Sequence, residues 1–180
     1  MVAPVDELVV LVDDADTALG VLGKMAAHQT GALHRAFSVS ISDSEGRLLL
    51  QKRAAGKYHS GGLWTNTCCG HPRPGEEVGA ASRRRLMEEM GFDCALTPLF
   101  CTSYRADVSN GLVENEFVHV FGGRFDAVPR PDPSEVEDWR WERAPAIAAD
   151  VARCPERYTV WFRRYITDFG DALRDVRHAP

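Results

Sequence analysis

The chain has 180 residues, of which 44% are apolar and 26% charged, and its formal net charge is −5. This is the composition of a soluble globular protein; it excludes intrinsic disorder, and the acidic balance argues against general nucleic-acid binding. No apolar run approaches the roughly 20 residues that span a bilayer, and the acidic opening "MVAPVDELVVLVDD" has no basic stretch of a secretory leader. The expected setting is cytoplasmic with no membrane partner.

The length predicts one domain, residues 1–180, large enough to bury its own core. In chain order, "ELVVLVD" (7–13) reads as a strand ending in an Asp13–Asp14 turn. "RAFSVSISD" (35–43) and "RLLLQKR" (47–53) read as a hairpin closed at "EG". The Gly- and Ser-rich loop "AAGKYHSGG" follows, and "LWTNTCC" is short and extended. After "PRPG", residues 76–90 are helical in pattern; Glu76 and Glu77 sit in the first turn, where acids favour the dipole, and Gly91 caps the end. "CALTPLFCTSYRA" (94–106) reads as a strand interrupted by Pro98. "NG" at 110–111 is a turn, and 112–125 is a long alternating strand. A strand at 136–143 and helices near 144–151 and 155–175 finish the chain. Strands, one helix, more strands and terminal helices together predict an α/β (α+β) sandwich with a mixed β-sheet flanked by helices.

The five cysteines, an odd count with no CxxC pair, predict neither a disulfide framework nor a four-cysteine zinc site. The basic residues are clustered. Lys52, Arg53 and Lys57 lie together, and Arg83, Arg84 and Arg85 form a run. A local cationic pocket on an acidic protein suits a small anionic ligand, whereas an unstructured run of this kind would be a solvated face.

From Gly70 the chain reads G-x5-E-x7-R-x-L-x-E-E-x-G-F, ending at Phe92. This resembles the Nudix box, the loop–helix signature of that superfamily, with one departure: Arg85 stands where the family carries an acid. Arg85 and Glu89 are one helical turn apart and share a face. A carboxylate beside a guanidinium suits one Mg²⁺ and a phosphate oxygen; the bland reading is a surface ion pair.

In "VENEFVHV", strand alternation puts Glu114 and Glu116 on one face and His119 on the other. Two acids on a face that turns apolar are expensive to bury unpaired, so they should bind a cation or trade a proton. His28 and His34 are six residues apart. One helix would separate them by about 240°, but a turn at Thr30–Gly31 lets both reach one point. With His71, Glu114 and Glu116 they form an N₃O₂ set suited to Mn²⁺, Fe²⁺, Co²⁺ or Zn²⁺.

"AAH…LHRAFS", "LWTNTCCGHPRPGE", the box helix, "SYRA" and "GLVENE" occur in this order, from about Glu7 to Trp161. Together they look like type 1 isopentenyl-diphosphate delta-isomerase, a Nudix-fold family of isoprenoid synthesis. The resemblance implies isomerisation of isopentenyl diphosphate to dimethylallyl diphosphate by a 1,3-allylic proton shift through a carbocation-like intermediate. It assigns Cys69 and Glu116 as the catalytic pair, Tyr104 as the hydroxyl beside Glu116 and Trp161 as the indole facing the reacting carbons. Lys24, Arg53, Lys57 and Arg85 match diphosphate-binding positions. His28, His34, His71, Glu114 and Glu116 match ligands of a transition metal, Mn²⁺ first among Mn²⁺, Zn²⁺, Fe²⁺ and Co²⁺. Glu89 and the Cys69 main-chain carbonyl match a Mg²⁺ site. A thiolate at Cys69 is expected to be favoured by the metal-rich cluster. "KYHSGGLW" lacks the W-P-G of other members, and Cys68 beside Cys69 leaves the nucleophile-like cysteine ambiguous until Gly70-His71 decides for Cys69. The expected partner is the small-molecule diphosphate, with no nucleic acid and a monomeric state. The competing readings are a Nudix diphosphate hydrolase, which needs more carboxylates on the box helix, and a metal-stabilised binding domain.

Overall fold

Nine strands and four helices follow one another in residues 7–174, the part of the chain that the computed structural model describes. They are β1 (Leu8–Val12), β2 (Ala18–Gly23), α1 (Lys24–Thr30), β3 (His34–Ser42), β4 (Arg47–Arg53), β5 (Trp64–Thr65), β6 (Cys68–Gly70), α2 (Val78–Met90), β7 (Leu96–Asp107), β8 (Val113–Arg124), β9 (Val136–Arg143), α3 (Ala144–Arg153) and α4 (Val160–Arg174). None of the described helices is long and apolar enough to cross a membrane. The final residue of the expected last helix, position 175, lies outside the described residues.

The sheet is mixed, and β3 is its hub. Along one edge β3 runs parallel to β8, from His34 opposite Glu116 to Ser42 opposite Arg124. On its other edge it meets β1 at His34, β6 at Phe37 to Val39 and β4 at Ser42. β7 pairs antiparallel with β8 through the turn containing Asn110 and Gly111, and β9 pairs with β4. The expected 35–53 hairpin is therefore confined to its closing turn, because β3 gives most of its length to β8 and β6.

Alternation along β3 divides the core in two. Phe37, Val39 and Ile41 pack with Leu86 and Met90 of α2, while Ala36 packs with Trp161, Phe162 and Tyr165 of α4. Each large apolar side chain fully buried in these layers contributes roughly 2 kcal/mol. The same alternation separates the adjacent cysteines of β6. Cys68 is fully buried against α2, and Cys69 turns to the α4 side.

Several local expectations are corrected. β2 and α1 were not anticipated; the exposed "ALGVLG" has weak alternation and is held by pairing with β1. Glu76 and Glu77 precede α2 rather than forming its first turn. Glu77 is the N-cap, accepting from the Gly79 and Ala80 amides, and Glu76 grips Arg84 through two bonds of 2.7 and 2.8 Å. Gly91 does cap the helix, at φ 74°. Pro98 does not end its strand; β7 continues through a bulge between Pro98 and Phe100.

Candidate active site

A cavity of about 410 Å³ opens where β3, β6, β7, β8, α2 and α4 converge. Its lining includes Cys69, Tyr104, Glu114, Glu116 and Trp161, together with the cationic Lys24, Arg53, Lys57 and Arg85.

β8 supplies the acids. Glu114 and Glu116 share one face, as alternation requires, and are 3% and 8% exposed. Tyr104 stands opposite Glu116 on β7. Its hydroxyl lies 2.9 Å from Glu116 Oε2 and 3.3 Å from Glu114 Oε2. Burial and the two carboxylates push the Tyr104 phenol well above its usual range, so it remains a hydrogen-bond donor. The Oε1 atoms face imidazoles. His71 Nε2 is 2.8 Å and His34 Nε2 3.6 Å from Glu116 Oε1, and His28 Nε2 is 3.7 Å from Glu114 Oε1.

The backbone aims these rings. His28 closes α1, Gly31 at φ 67° turns the chain, and His34 opens β3. The six-residue separation is thus bridged by a helix end and a left-handed glycine. His28 Nδ1 lies 2.7 Å from the Lys24 carbonyl and His34 Nδ1 2.8 Å from the Ala32 carbonyl. A carbonyl only accepts, so both Nδ1 atoms carry a proton and both Nε2 atoms are left facing the cluster. His28, His34, His71 and Glu116 each bring a ligand atom to within 4.8 Å of the others. That span and the mixed imidazole–carboxylate donors fit a divalent metal ion.

Burial opposes charge on Glu116, yet the hydrogen bond and charge of His34 dominate and hold the carboxyl at about 2. His34 moves the opposite way: burial disfavours its cation, but Glu116 raises it overall. Burial and the neighbouring His34 hold His71 well below the usual histidine value, so its ring stays neutral.

Cys69 enters the cavity from β6, on the opposite edge of β3 from Glu116. Its thiol donates to Asn66 Oδ1 at 3.3 Å and lies 3.4 Å from Ser38 Oγ, which in turn meets Tyr165 Oη at 3.0 Å. Burial pushes the thiol up to about 12. Desolvation outweighs the neighbouring polar groups, so these side chains by themselves keep Cys69 as S–H; the expected thiolate rested on a bound metal. Gly70 is required beside it, since a Cβ there would lie 2.9 Å from the Phe37 ring and 3.4 Å from the Arg85 side chain.

On α2 the Arg85 guanidinium lies 2.5 Å from Glu89 Oε1 and 3.3 Å from Glu135 Oε1. Glu89 is buried and also accepts from Gln51 Nε2 at 3.0 Å. Lys57 pairs with Glu135. Burial, with Arg53, Arg85 and Lys24 near, lowers the Lys57 amine to about 8 despite the opposing charge of Glu89. Arg53 is buried and stacks over Trp161, 5.4 Å from its ring. Lys24 pairs with Glu7 at 3.0 Å. Trp161 is fixed because the start of α4 is pinned to β5, the Thr159 amide donating to the Trp64 carbonyl at 3.0 Å. Of the two terminal helices, only α4 reaches the cavity; α3 contributes no lining residue.

Every site residue expected from sequence thus lines the cavity or belongs to its histidine cluster. His119 faces away, paired with Asp16 at 2.8 Å. The sequence reading missed Ser38, Asn66 and Tyr165 around Cys69, Gln51 beside Glu89, and His59, whose Nε2 is 2.7 Å from Glu114 Oε1. His59 was visible as a histidine two residues after a pocket lysine, in a segment read only as loop.

Residues 32–162 match the NUDIX domain. The Isopentenyl-diphosphate Delta-isomerase 1 of Aromatoleum aromaticum is 55% identical over 89% of this chain and 91% of its own length. The Isopentenyl-diphosphate Delta-isomerase of Burkholderia multivorans is 53% identical over 92% of this chain and 94% of its own. Among solved structures, a Deinococcus radiodurans protein superposes with a TM-score of 0.75 at 20% identity, covering 89% of this chain and 98% of that one. The MutT protein of Methanosarcina mazei follows with 0.65 at 18% identity, covering 77% and 94%. At those identities the likeness is one of fold alone.

Proposed function

The chain belongs to the isopentenyl-diphosphate Delta-isomerases, a family built on the NUDIX domain, and we propose that it does its chemistry with Cys69 and Glu116 on opposite sides of one cavity. The enzyme interconverts isopentenyl diphosphate and dimethylallyl diphosphate. One proton is added to a terminal alkene carbon and another leaves the carbon on the far side, so the double bond moves and no bond to phosphorus breaks. The observation that carries this assignment is the placement of a half-buried thiol and a buried, phenol-bonded carboxylate on strands that flank β3.

An alkene is a weak base, and its protonation needs a desolvated donor held in place. The Cys69 thiol, oriented by Asn66 and Ser38, is one such group. Glu116, with its proton traffic shared by Tyr104, is the other. The interconversion is reversible, so each must both give and take a proton. The face of Trp161 stabilises the cationic carbon. Burial of the cavity keeps water from quenching it.

Lys24, Arg53, Lys57 and Arg85 hold the diphosphate and thereby orient the five-carbon tail. Glu89 and the Cys69 main-chain carbonyl would hold Mg²⁺. His28, His34, His71, Glu114 and Glu116 would hold a transition metal, Mn²⁺ before Zn²⁺, Fe²⁺ or Co²⁺. When bound, that ion fixes the Glu116 carboxyl and makes its proton more acidic. All five cysteines are free thiols, which suits a reducing cytoplasm; a one-domain monomer spanning 1–180 completes the reading.

A hydrolase would gather carboxylates on the α2 face. Glu88 is instead exposed and bonded to Arg84 and Arg85, which leaves Glu89 as the α2 acid of the cavity. Incubation with isopentenyl diphosphate, Mg²⁺ and Mn²⁺ should yield dimethylallyl diphosphate by chromatography without inorganic phosphate; phosphate release without isomer would overturn the assignment.

A further inference from the structure

Glu114 and Glu116 are treated alike by their surroundings. Tyr104 touches the Oε2 atom of each. The Oε1 atom of Glu116 meets His71 Nε2 at 2.8 Å, and that of Glu114 meets His59 Nε2 at 2.7 Å. His59 thus stands to Glu114 as His71 stands to Glu116. We propose that His59 is a further ligand of the histidine-cluster metal, completing a set of four imidazoles and two carboxylates. The inference rests on the metal reading above and extends it.

The ligand atoms of His28, His59 and Glu114 all lie within 4.8 Å of one another, and so form a second metal-competent set that shares His28 with the first. His28 has one nitrogen to give, because its Nδ1 is committed to the Lys24 carbonyl. The two sets therefore share one ligand nitrogen and cannot both use it at once, and the inference takes them as one centre.

The loop that carries His59 is built to present it. His59 is 2% exposed, and its Nδ1 lies 3.2 Å from Ser60 Oγ, leaving Nε2 turned to the cluster. Ser60 sits at φ 51°, in the left-handed region that a non-glycine residue adopts only where its surroundings hold it. The Ser60 amide is held by Ser109 Oγ at 2.9 Å, and Asn110 Nδ2 donates to the Tyr58 carbonyl at 2.8 Å. The β7–β8 turn thus clamps the loop on both sides of His59.

The position also joins metal to substrate. The His59 ring stands edge-on to Trp161 at 5.9 Å, and its carbonyl accepts from Arg53 Nη2 at 3.1 Å. A ligand here fixes the indole and a diphosphate-binding arginine when the ion is in place.

The test loads the full chain with Co²⁺ and counts sets of paramagnetically shifted imidazole protons by proton NMR. Wild-type protein should show four sets. His59→Ala should show three, and its Co²⁺ affinity, measured by competition titration, should fall at least about tenfold. Three sets in the wild type with unchanged affinity in the variant would overturn the inference and leave the His28–His34–His71 centre standing. Fewer than three would overturn both. The wild-type count decides even if the variant folds poorly.

Discussion

The Tyr104 hydroxyl lies 2.9 Å from Glu116 Oε2 and 3.3 Å from Glu114 Oε2, so one buried phenol ties together both acids of β8. Because both Oε1 atoms point to imidazoles, the phenol decides how the carboxylates are turned. Tyr104→Phe keeps the ring's packing and removes that tie. It should lower kcat about 10- to 100-fold with little change in KM. Steady-state kinetics check this; a raised KM with an intact kcat would place Tyr104 in substrate binding instead.

In the proposed mechanism Cys69→Ala and Glu116→Gln each remove one of the two proton carriers. Each should cost about 10²- to 10⁴-fold in kcat. Diphosphate affinity in Cys69→Ala should stay near wild type by titration calorimetry, because the proposed anion site is made of other side chains, Lys24, Arg53, Lys57 and Arg85. A Cys69→Ala enzyme with normal turnover would remove the thiol from the chemistry.

Lys57 titrates at about 8 because burial and nearby cations disfavour its charge. The amine is protonated below that value and loses its charge as pH rises through it. Binding of the diphosphate should therefore weaken with rising pH, with kcat/KM falling up to about tenfold per unit above pH 8. Lys57→Arg should flatten this limb; its persistence would assign it to another group. The stability effect has the opposite sign: the folded state holds this proton less tightly than the unfolded chain, so folding gains as pH rises between about 8 and 10.

How much of this was legible in the sequence depends on range. Alternation along "VENEFVHV" placed Glu114 and Glu116 together and sent His119 outward, because a strand's period is a local property. The box spacing located α2 and its Gly91 cap for the same reason. The hub role of β3 was not readable, since its partners β6 and β8 lie far along the chain. Ser38, Asn66 and Tyr165 were invisible as a group: they meet at Cys69 only after β3, β6 and α4 assemble. The protonated state of Cys69 was missed because it depends on burial, which residue order does not state.

Arg85 and Glu89 form a pair on α2 with 2.5 Å between guanidinium and carboxylate. Arg85→Ala would leave Glu89 buried without that cation, a change that costs about 3 kcal/mol. Thermal denaturation should show the loss, and Mg²⁺ should recover part of it by neutralising Glu89. The same variant should raise KM for the diphosphate. An unchanged melting temperature and KM would reduce the pair to a surface contact.

Two proton carriers on opposite edges of β3 moving a double bond would leave a signature in proton NMR of the enzyme with isopentenyl diphosphate and Mg²⁺, with trace Mn²⁺, in D₂O. The vinylic signals should convert to those of dimethylallyl diphosphate with deuterium entering the carbon skeleton and no phosphate released. An untouched alkene, or phosphate appearing in place of the isomer, would contradict this mechanism.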